Sequence, residues 1–182
     1  MKSIINYNKK NKNKLPKLIG EKIILSPIPK SDEFYKLYHK WLSNKKLKYK
    51  LGEEGMKYTL KEIKEMHDEW RNDLNNMTFC ILNKKTKEPI GDINLIASKE
   101  FKSPEISIML GKHSGKGFGY EASKLLINFA FNELKLKEIN LSVYEDNIPA
   151  IKLYKKLGFK KTKTRFDEDK RKEYLMKIKK TK

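Results

Sequence analysis

The feature that most constrains the fold is a glycine-rich turn between an apolar strand and an amphipathic helix. Four glycines fall within nine residues, directly after the apolar run Glu105–Leu110: Gly111, Gly115, Gly117 and Gly119. Apolar residues then recur at helical spacing, at Ala122, Leu125, Leu126, Phe129 and Ala130. Glycines let the backbone turn sharply with its N–H groups pointing inward, and a helix N-terminus adds further unpaired donors. The pattern therefore predicts a cradle for phosphate or pyrophosphate.

Two well-known phosphate loops do not match this turn. A dinucleotide-binding turn comes early in a βαβ unit and has an acidic residue about twenty positions further on. Here the turn comes late and follows several predicted strands. A Walker loop needs Gly-Lys-Ser/Thr, which is absent from Gly111–Ala122. On this segment alone, a plain flexible loop stays open as the alternative.

The rest of the chain alternates between strand-like and helix-like patterns. Strands are predicted at Lys22–Ile28, Met77–Leu82, Pro89–Ala97, Glu105–Leu110, Ile139–Val143, Phe159–Phe166 and Tyr174–Ile178. Helices are predicted at Glu33–Ser43, Thr59–Leu74, Gly117–Glu133 and Pro149–Leu157, and Asn44–Tyr58 is predicted to be irregular. This order predicts a mixed sheet with helices on both faces, in the α/β or α+β class.

Positive charge is concentrated at the two ends of the chain. Of the formal net charge of +19, residues 1–17 and residues 170–182 contribute +6 each. Residues 1–17 are rich in Lys and Asn, so we expect a disordered basic tail followed by a single domain over residues 18–182. Three of the 42 basic residues are arginine, whereas specific nucleic-acid readers rely on arginine. We therefore expect at most weak adhesion to polyanions and no specific nucleic-acid partner.

The cysteine and histidine content and the distribution of apolar residues limit which cellular compartment and which cofactors are expected. Cys80 is the only cysteine, which excludes an internal disulfide and a cysteine zinc site and favours a cytoplasmic location. The three histidines, His39, His67 and His113, show no metal spacing, so no metal is expected. The sequence has no apolar run of about 18 residues, and Met1–Lys17 lacks the apolar stretch of a secretory signal. A membrane partner is not expected.

A second motif, NIPAIKLYKKLGF, runs from Asn147 to Phe159. It resembles the Asn-x-x-Ala-x-x-x-Tyr-x-x-x-Gly-Phe run of the GCN5-related N-acetyltransferase (GNAT) family. Gly115–Gly119 is similar to the pyrophosphate loop of the same family, Gln/Arg-x-x-Gly-x-Gly/Ala, with Ser114 at the Gln/Arg position. The two motifs stand in the family's order, and the resemblance covers about residues 20–180. The opening Glu105–Ile106 of the preceding strand looks most like enzymes that act on ribosomal-protein N-termini or polyamines.

The resemblance implies a fold, a cosubstrate and a reaction. The implied fold is a mixed, mostly antiparallel central sheet of about six or seven strands. The implied enzyme is a cytoplasmic acyltransferase that moves the acetyl group of acetyl-CoA to a primary amine by direct transfer in a ternary complex. Two alternatives stay open: a coenzyme A-binding module of the same fold without transfer, and a lysine-rich protein associated with ribosomes or nucleic acid. Dimerisation is common in the family and is left open.

The resemblance also assigns residues to the cofactor. The implied cofactor-binding residues are Ile108, Met109, Leu110, Ser114, Gly115, Lys116, Gly117, Phe118, Gly119, Tyr120, Asn147, Ala150 and Tyr154. In this scheme a backbone N–H of Ile108, Met109 or Leu110 stabilises the oxyanion. Asn147 binds the pantetheine arm or, alternatively, caps the helix that follows it.

Catalytic roles follow from the same resemblance and from acid–base chemistry. Tyr154 stands at the family's general-acid position and would protonate the leaving thiolate. An amine must be neutral to attack a thioester, so a carboxylate is expected to accept its proton, acting through water. Glu105 and Asp92 lie on the strands expected to flank the cleft, and Glu105 is preferred by its position, with water alone as the alternative.

The acceptor pocket is expected between Trp41 and Tyr58, the region that varies most in the family. Glu53 and Glu54 would attract a cationic amine, and Tyr49, Met56 and Tyr58 would line the walls. The identity of the acceptor stays open among polyamines, protein N-termini, lysine side chains and aminoglycosides.

Overall fold

The chain folds around one eight-stranded sheet in a computed structural model that describes residues 2–11, 14–97, 103–112 and 115–181. The strands are β1 (Leu18–Ile19), β2 (Ile23–Pro27), β3 (Asn76–Asn83), β4 (Pro89–Ile96), β5 (Glu105–Leu110), β6 (Glu138–Tyr144), β7 (Lys160–Phe166) and β8 (Lys172–Lys179). The helices are α1 (Lys2–Lys10), α2 (Asp32–Leu42), α3 (Lys45–Leu51), α4 (Leu60–Asn72), α5 (Phe118–Asn132) and α6 (Ile148–Lys156). Within the described ranges, no helix is long and apolar enough to span a lipid bilayer.

The sheet is mixed and mostly antiparallel, as predicted. Its strand order is β1-β2-β3-β4-β5-β6-β8-β7, and the β5–β6 pair is parallel while the other pairs are antiparallel. It has eight strands rather than six or seven, because the two-residue β1 pairs with β2 outside the predicted set. All the predicted strands and helices are found; β5 has the predicted bounds, and the ends of the others are shifted.

Helices cover both faces of the sheet, and each face has its own apolar core. One core joins α1, α5 and α6 to the sheet through residues such as Ile4, Leu126 and Ile151. The other joins α2 and α4 to the opposite face through residues that include Phe34 and Ile63. Successive side chains of a strand point to opposite faces, so each central strand contributes to both cores.

The N-terminal segment corrects the prediction of a disordered tail. Lys2–Lys10 form α1, in which Ile4 is fully buried and Asn8 nearly so. The Asn8 side-chain amide donates hydrogen bonds of 3.0 Å to the backbone oxygens of Leu74 and Asn76. The lysine-rich composition concealed one buried helix face, because Ile4 and Asn8 lie one turn apart on the same side of α1 and pack against the rest of the protein.

A second correction concerns the segment predicted to be irregular between Asn44 and Tyr58. Lys45–Leu51 form α3, whose start is capped by the Asn44 side chain accepting from Leu47 N at 3.1 Å. Gly52 ends the helix with φ of 73°, the left-handed conformation that glycine adopts easily. Asn44 and Gly52 are recognisable cap residues in the sequence. A helix of seven residues is too short to give a strong periodic pattern between them.

The parallel pair β5–β6 positions the site. All six residues of β5 pair with β4, whereas only Glu105 is in register with β6, opposite Asn140. The backbone N–H of Asn140 also donates to Pro104 O at 2.9 Å, which closes the strands at this end. Beyond Glu105 the two strands diverge, so one backbone edge of β5 is open and a wedge forms between them.

Candidate active site

A cavity of about 530 Å³ occupies the wedge between β5 and β6. The strands supply Glu105, Ile106, Ser107, Ile108, Met109, Leu110, Ser142, Val143, Tyr144 and Glu173. The remaining lining residues are Leu47, Lys50, Leu51, Gly115, Gly117, Gly119, Tyr120, Asn147, Pro149, Ala150, Lys152, Leu153, Tyr154 and Lys156. Because residues from both sheet faces line it, the cavity passes from the α5–α6 side to the α3 side.

The α5–α6 side contains the glycine turn. Gly115 and Gly117 have φ of 87° and 83°, and an added Cβ would meet no atom within 4 Å at either position. The need for glycine here is therefore conformational rather than steric. Gly117 stands at the N-cap of α5 and makes no side-chain capping hydrogen bond. This end of the cavity suits a phosphate group.

Gly119 is needed for a different reason. An added Cβ at this position would lie 3.3 Å from Leu110 Cδ1 and 3.7 Å from Ile108 Cδ1. The first turn of α5 therefore packs directly on the side chains of β5. This contact holds the phosphate-binding end next to the open edge of the strand.

Asn147 and Tyr154 approach the wedge from α6. Asn147 occupies the N-cap position, but its side chain makes no capping hydrogen bond, so it does not serve as the helix cap considered above. Tyr154 is 6% exposed and its ring contacts Phe159 edge-on at 5.8 Å. Burial, followed by the nearby Glu105 charge, raises the pKa of Tyr154 well above its ordinary value. The phenol thus keeps its proton at neutral pH.

The α3 side of the cavity is where Glu105 points. Ile106 packs in the α5–α6 core, and alternation along the strand places Glu105 on the opposite face. The Ser142 hydroxyl donates to Glu105 Oε1 at 3.4 Å. Burial raises the pKa of the Glu105 carboxyl, and the charge of Glu173 adds to the increase.

Glu173 differs from Glu105 in having a cationic partner. Arg165 Nε donates to Glu173 Oε2 at 2.6 Å, and the Glu173 side chain is 9% exposed. No basic side chain in the described ranges forms an ion pair with Glu105. Glu105 is therefore the cavity carboxylate able to interact with an incoming cation.

Asp92, the other predicted base, does not line the cavity. It is 3% exposed, lies beside Cys80 across β3–β4, and accepts a hydrogen bond from Tyr38 Oη at 3.2 Å. Burial raises the pKa of Asp92 to about 7. Its carboxyl is enclosed under α2, where an acceptor amine does not reach it directly.

None of the predicted acceptor residues lines the cavity. Glu54 and Tyr49 bind Arg171, and Glu53 lies beside Tyr58. Burial, opposed by the Tyr58 hydrogen bond, raises the pKa of Glu53. The wall is instead formed by Leu47, Lys50 and Leu51 on the inner side of α3.

Most of the predicted cofactor residues meet at the cavity. Ile108, Met109, Leu110, Gly115, Gly117, Gly119, Tyr120, Asn147, Ala150 and Tyr154 line it. Lys116 and Phe118 do not, and Phe118 belongs to the core. Ser114 lies outside the described residues.

Several lining residues were not anticipated. Ser142, Tyr144 and Glu173 come from β6 and β8, and no local motif marks them. Alternation along β6 was the available signal, since Ser142 and Tyr144 interrupt apolar positions. Among the residues that the structure describes, no group of three or more His, Cys, Asp or Glu side chains is placed to hold a metal ion.

Comparison with known proteins identifies the class of acyltransferase that has this fold and this wedge. A family model described as "Acetyltransferase (GNAT) domain" matches residues 22–160. The chain therefore belongs to the GNAT family, as its two motifs predicted.

Individual relatives make the assignment more specific. The "N-acetyltransferase 9-like protein" of Caenorhabditis briggsae is 33% identical over 162 residues, covering 82% of this chain and 80% of that protein. The "Alpha/beta-tubulin-N-acetyltransferase 9" of Drosophila melanogaster is 30% identical over 167 residues, covering 83% and 82%. Together with the family match, these relatives show that this protein is an acetyl-CoA-dependent N-acetyltransferase.

Solved structures share the fold. A spermidine N-acetyltransferase from Vibrio cholerae in complex with CoA and spermine matches with a TM-score of 0.77 at 23% identity, over 88% of this chain and 96% of that chain. An acetyltransferase of the GNAT family from Bacillus anthracis matches with a TM-score of 0.77 at 16% identity, over 90% and 98%. At these identities the likeness concerns the fold and leaves the acceptor undefined.

Proposed function

We propose that this enzyme transfers the acetyl group of acetyl-CoA to the α-amino group of a protein N-terminus, directly and within a ternary complex. The observation that carries the proposal is the cavity that passes through the sheet between β5 and β6. A donor can enter from the α5–α6 side and an acceptor from the α3 side. They meet between Glu105 and Tyr154, so no covalent enzyme intermediate is needed.

The lining residues fit acetyl-CoA. In the proposal, the turn at Gly115 and Gly117 and the start of α5 bind the pyrophosphate. The pantetheine arm pairs with the open edge of β5 along Ile108–Leu110. The Asn147 side chain, which does not cap α6, binds the same arm. Acetyl-CoA supplies a thioester whose carbonyl carbon accepts the amine.

Glu105 is the proposed general base. Its carboxylate has no ion-pair partner among the described residues, so it can bind the ammonium form of the acceptor and then remove its proton, directly or through water. Burial raises its pKa above that of an exposed glutamate, which makes the carboxylate a stronger base toward the acceptor amine. Asp92 is the less suitable candidate because it is enclosed by Tyr38 and Cys80.

Tyr154 is the proposed general acid. Its phenol is buried at the cavity wall and protonated at neutral pH, so it has a proton to give to the departing thiolate. A backbone N–H of Ile108, Met109 or Leu110 on the open edge of β5 would stabilise the charge on the carbonyl oxygen.

The charge at the α3 end favours a single amine over a polyamine. A polyamine carries several cations, which require several unpaired carboxylates along the site. Here Glu173 is neutralised by Arg165, and Lys50 adds a positive charge to the wall. Leu47 and Leu51 provide apolar surface beside Glu105, which suits a first residue with an apolar side chain.

The names of the relatives support the same acceptor class. The Drosophila melanogaster, Mus musculus and Homo sapiens relatives are named alpha/beta-tubulin-N-acetyltransferases. For the present chain we propose the broader class, a protein N-terminus, without assigning the protein that carries it. A cytoplasmic location also stays a prediction, based on the single cysteine.

A thiol-release assay with mass spectrometry of the products tests the proposal. The acceptors are a peptide with a free N-terminal methionine, the same peptide with a blocked N-terminus and one internal lysine, and spermidine. We expect acetylation of the free N-terminus with the highest kcat/KM. Preference for spermidine or for the internal lysine would contradict the proposed acceptor. Coenzyme A binding without turnover of any amine would favour the binding-module alternative.

A further inference from the structure

The outer wall of the acceptor end is a short segment that apolar packing holds only weakly. We call residues 45–54, which comprise α3 and the three residues after it, the acceptor strap. Its inner side contributes Leu47, Lys50 and Leu51 to the cavity lining. No residue of α3 is buried, and Leu47 and Leu51 are only partly covered by the α2–α4 core. The location of this wall therefore depends largely on polar contacts.

One arginine supplies several of these contacts from the far end of the chain. Arg171 is the last residue of the β7–β8 turn, and its guanidinium carbon is 4.0 Å from the ring centroid of Tyr49 and 3.7 Å from that of Tyr144. Arg171 Nη1 donates to Tyr49 O at 2.9 Å and to Glu54 Oε1 at 2.8 Å. The guanidinium thus lies between a strap tyrosine and a sheet tyrosine while it hydrogen-bonds the strap twice.

The strap makes two further contacts at the same place. The Tyr49 hydroxyl donates to Asp146 Oδ2 in the loop between β6 and α6, and Arg171 Nη2 lies 3.7 Å from Asp146 Oδ1. Gly52 is so near Tyr144 that an added Cβ would be 2.2 Å from its hydroxyl oxygen. The strap and the sheet are therefore in direct contact around one arginine.

The arginine itself is held in place from its own turn. The Arg171 backbone N–H donates to Asp167 Oδ1 at 2.8 Å, and the Tyr144 hydroxyl donates to Asp167 Oδ2 at 2.9 Å. Asp167 thus fixes both the arginine and one of the two rings that sandwich it. The Arg171 side chain is 18% exposed, so solvent screens these interactions less than at an open surface.

Only arginine combines these contacts. A planar guanidinium stacks between two rings and donates in its own plane, whereas a lysine ammonium has no plane to stack. Arg171 is one of three arginines in the chain, against 39 lysines. The chemistry at this position is therefore specific, although the surrounding segment is generally basic.

We infer that Arg171 is a positioning residue that clasps the acceptor strap over the cavity and thereby sets the affinity for the acceptor. Arg171 does not line the cavity, so it acts through the placement of Leu47, Lys50 and Leu51. The link to acceptor affinity rests on the proposed function, because it assumes that the acceptor enters from the α3 side. The link to the placement of the strap does not depend on it.

The test compares Arg171→Met with Lys172→Met. Both variants remove one cation from the same hairpin, but Lys172 pairs with Glu145 and does not touch the strap. Hydrogen–deuterium exchange over residues 45–54 should accelerate at least about tenfold in Arg171→Met, since charge-assisted hydrogen bonds are lost, and should stay at the wild-type rate in Lys172→Met. The peptide KM should rise about tenfold in Arg171→Met, while the acetyl-CoA KM and kcat change less than about twofold.

A second pair of variants tests the clasp from the strap side. Tyr49→Leu removes the ring that stacks on Arg171 and should reproduce the exchange and KM effects. Tyr49→Phe keeps the ring and loses only the hydroxyl contact with Asp146, so its effects should be smaller. If Arg171→Met does not fold, this pair decides the question.

The outcomes separate the clasp from the proposed function. Wild-type exchange of the strap in both Arg171→Met and Tyr49→Leu would overturn the clasp. A rise in the acetyl-CoA KM equal to that in the peptide KM would overturn the specific effect on the acceptor. If the wild-type enzyme acetylates no peptide, the proposed acceptor fails, and the exchange experiment still decides whether Arg171 holds the strap.

Discussion

Glu105 and Tyr154 border the same cavity from opposite faces of the sheet, and the charge of the carboxylate contributes to the raised pKa of the phenol. Glu105 opens β5 and Tyr154 lies in α6, so their meeting depends on the wedge between β5 and β6. In the proposed mechanism the carboxylate accepts a proton from the amine, and the phenol donates its proton to the departing thiolate. The first two predictions test them separately.

Replacement of Tyr154 by Phe removes the proposed acid while keeping the ring. Turnover should fall by about 10²–10⁴, and acetyl-CoA binding should persist, because the ring contact with Phe159 is preserved. Thiol release and calorimetric titration with acetyl-CoA measure the two quantities. Tyr7→Phe, at a ring that packs on Phe129 away from the cavity, is the matched control. Unchanged turnover in Tyr154→Phe would exclude the acid role.

Replacement of Glu105 by Gln should affect turnover in a pH-dependent way. Above its raised pKa the wild-type carboxylate is ionised and can accept a proton, whereas the amide cannot. The loss in kcat/KM should therefore be largest between this pKa and that of the acceptor amine, and should shrink at alkaline pH, where the amine is already neutral. A loss of the same size at every pH would argue against a base at this position. Asp92→Asn is the comparison, and a larger pH-dependent loss there would favour Asp92.

Gly117→Ala tests the phosphate-binding turn. The position has a φ of 83° and open space for a methyl group, so alanine adds strain without a clash. The strain is about 1–2 kcal/mol. If the turn relaxes, acetyl-CoA binding should weaken by roughly tenfold. If the turn is kept, the free energy of unfolding should fall by about 1–2 kcal/mol. Gly55→Ala is the control, because its added Cβ also meets nothing within 4 Å and its φ is not in the left-handed range. Wild-type binding and stability in Gly117→Ala would show that the turn does not need glycine.

The buried His67 ring should make stability depend on pH. Its ring is fully buried and contacts those of Tyr35, Tyr38 and Trp70. Burial lowers the pKa of His67 from 6.5 to about 4. Between these values the unfolded chain binds a proton that the folded chain does not, so stability falls as the pH drops through this window. Relative to His67→Phe, the wild type should lose up to about 3 kcal/mol of unfolding free energy between pH 7 and pH 4.

Denaturant titrations at several pH values measure this difference. Asp92 has the opposite effect, because burial raises its pKa to about 7 and the folded chain then binds the extra proton as the pH falls. Acidification should therefore stabilise the wild type relative to Asp92→Asn, whereas it should destabilise the wild type relative to His67→Phe. A constant difference between wild type and His67→Phe over this pH range would show that the ring titrates normally.

The parts of the site that lie on contiguous segments could be predicted from the amino-acid sequence. The turn at Gly115–Gly119 and the run Asn147–Phe159 are each shorter than fifteen residues, and their glycine, asparagine and tyrosine spacing carries the chemistry directly. The predicted strands and helices occur in the predicted order for the same reason, since periodicity is a local property of the chain, but the short elements α1, β1 and α3 were missed. Glu105 could be proposed as a candidate base from its position on the strand before the glycine turn.

The distant side chains that meet these motifs are brought there by the folded arrangement of the sheet and helices. Glu173 reaches the cavity because β8 pairs with β6 in one register, and a shift by one residue would turn it to the other face. Arg165 reaches Glu173 because β7 pairs with β8 in register. Arg171 meets Tyr49 across 122 positions of sequence, and Ile4 is buried although its neighbours suggest a disordered tail. Such contacts follow from strand register and helix docking over long sequence separations, which leave no periodic or spaced pattern in the chain itself.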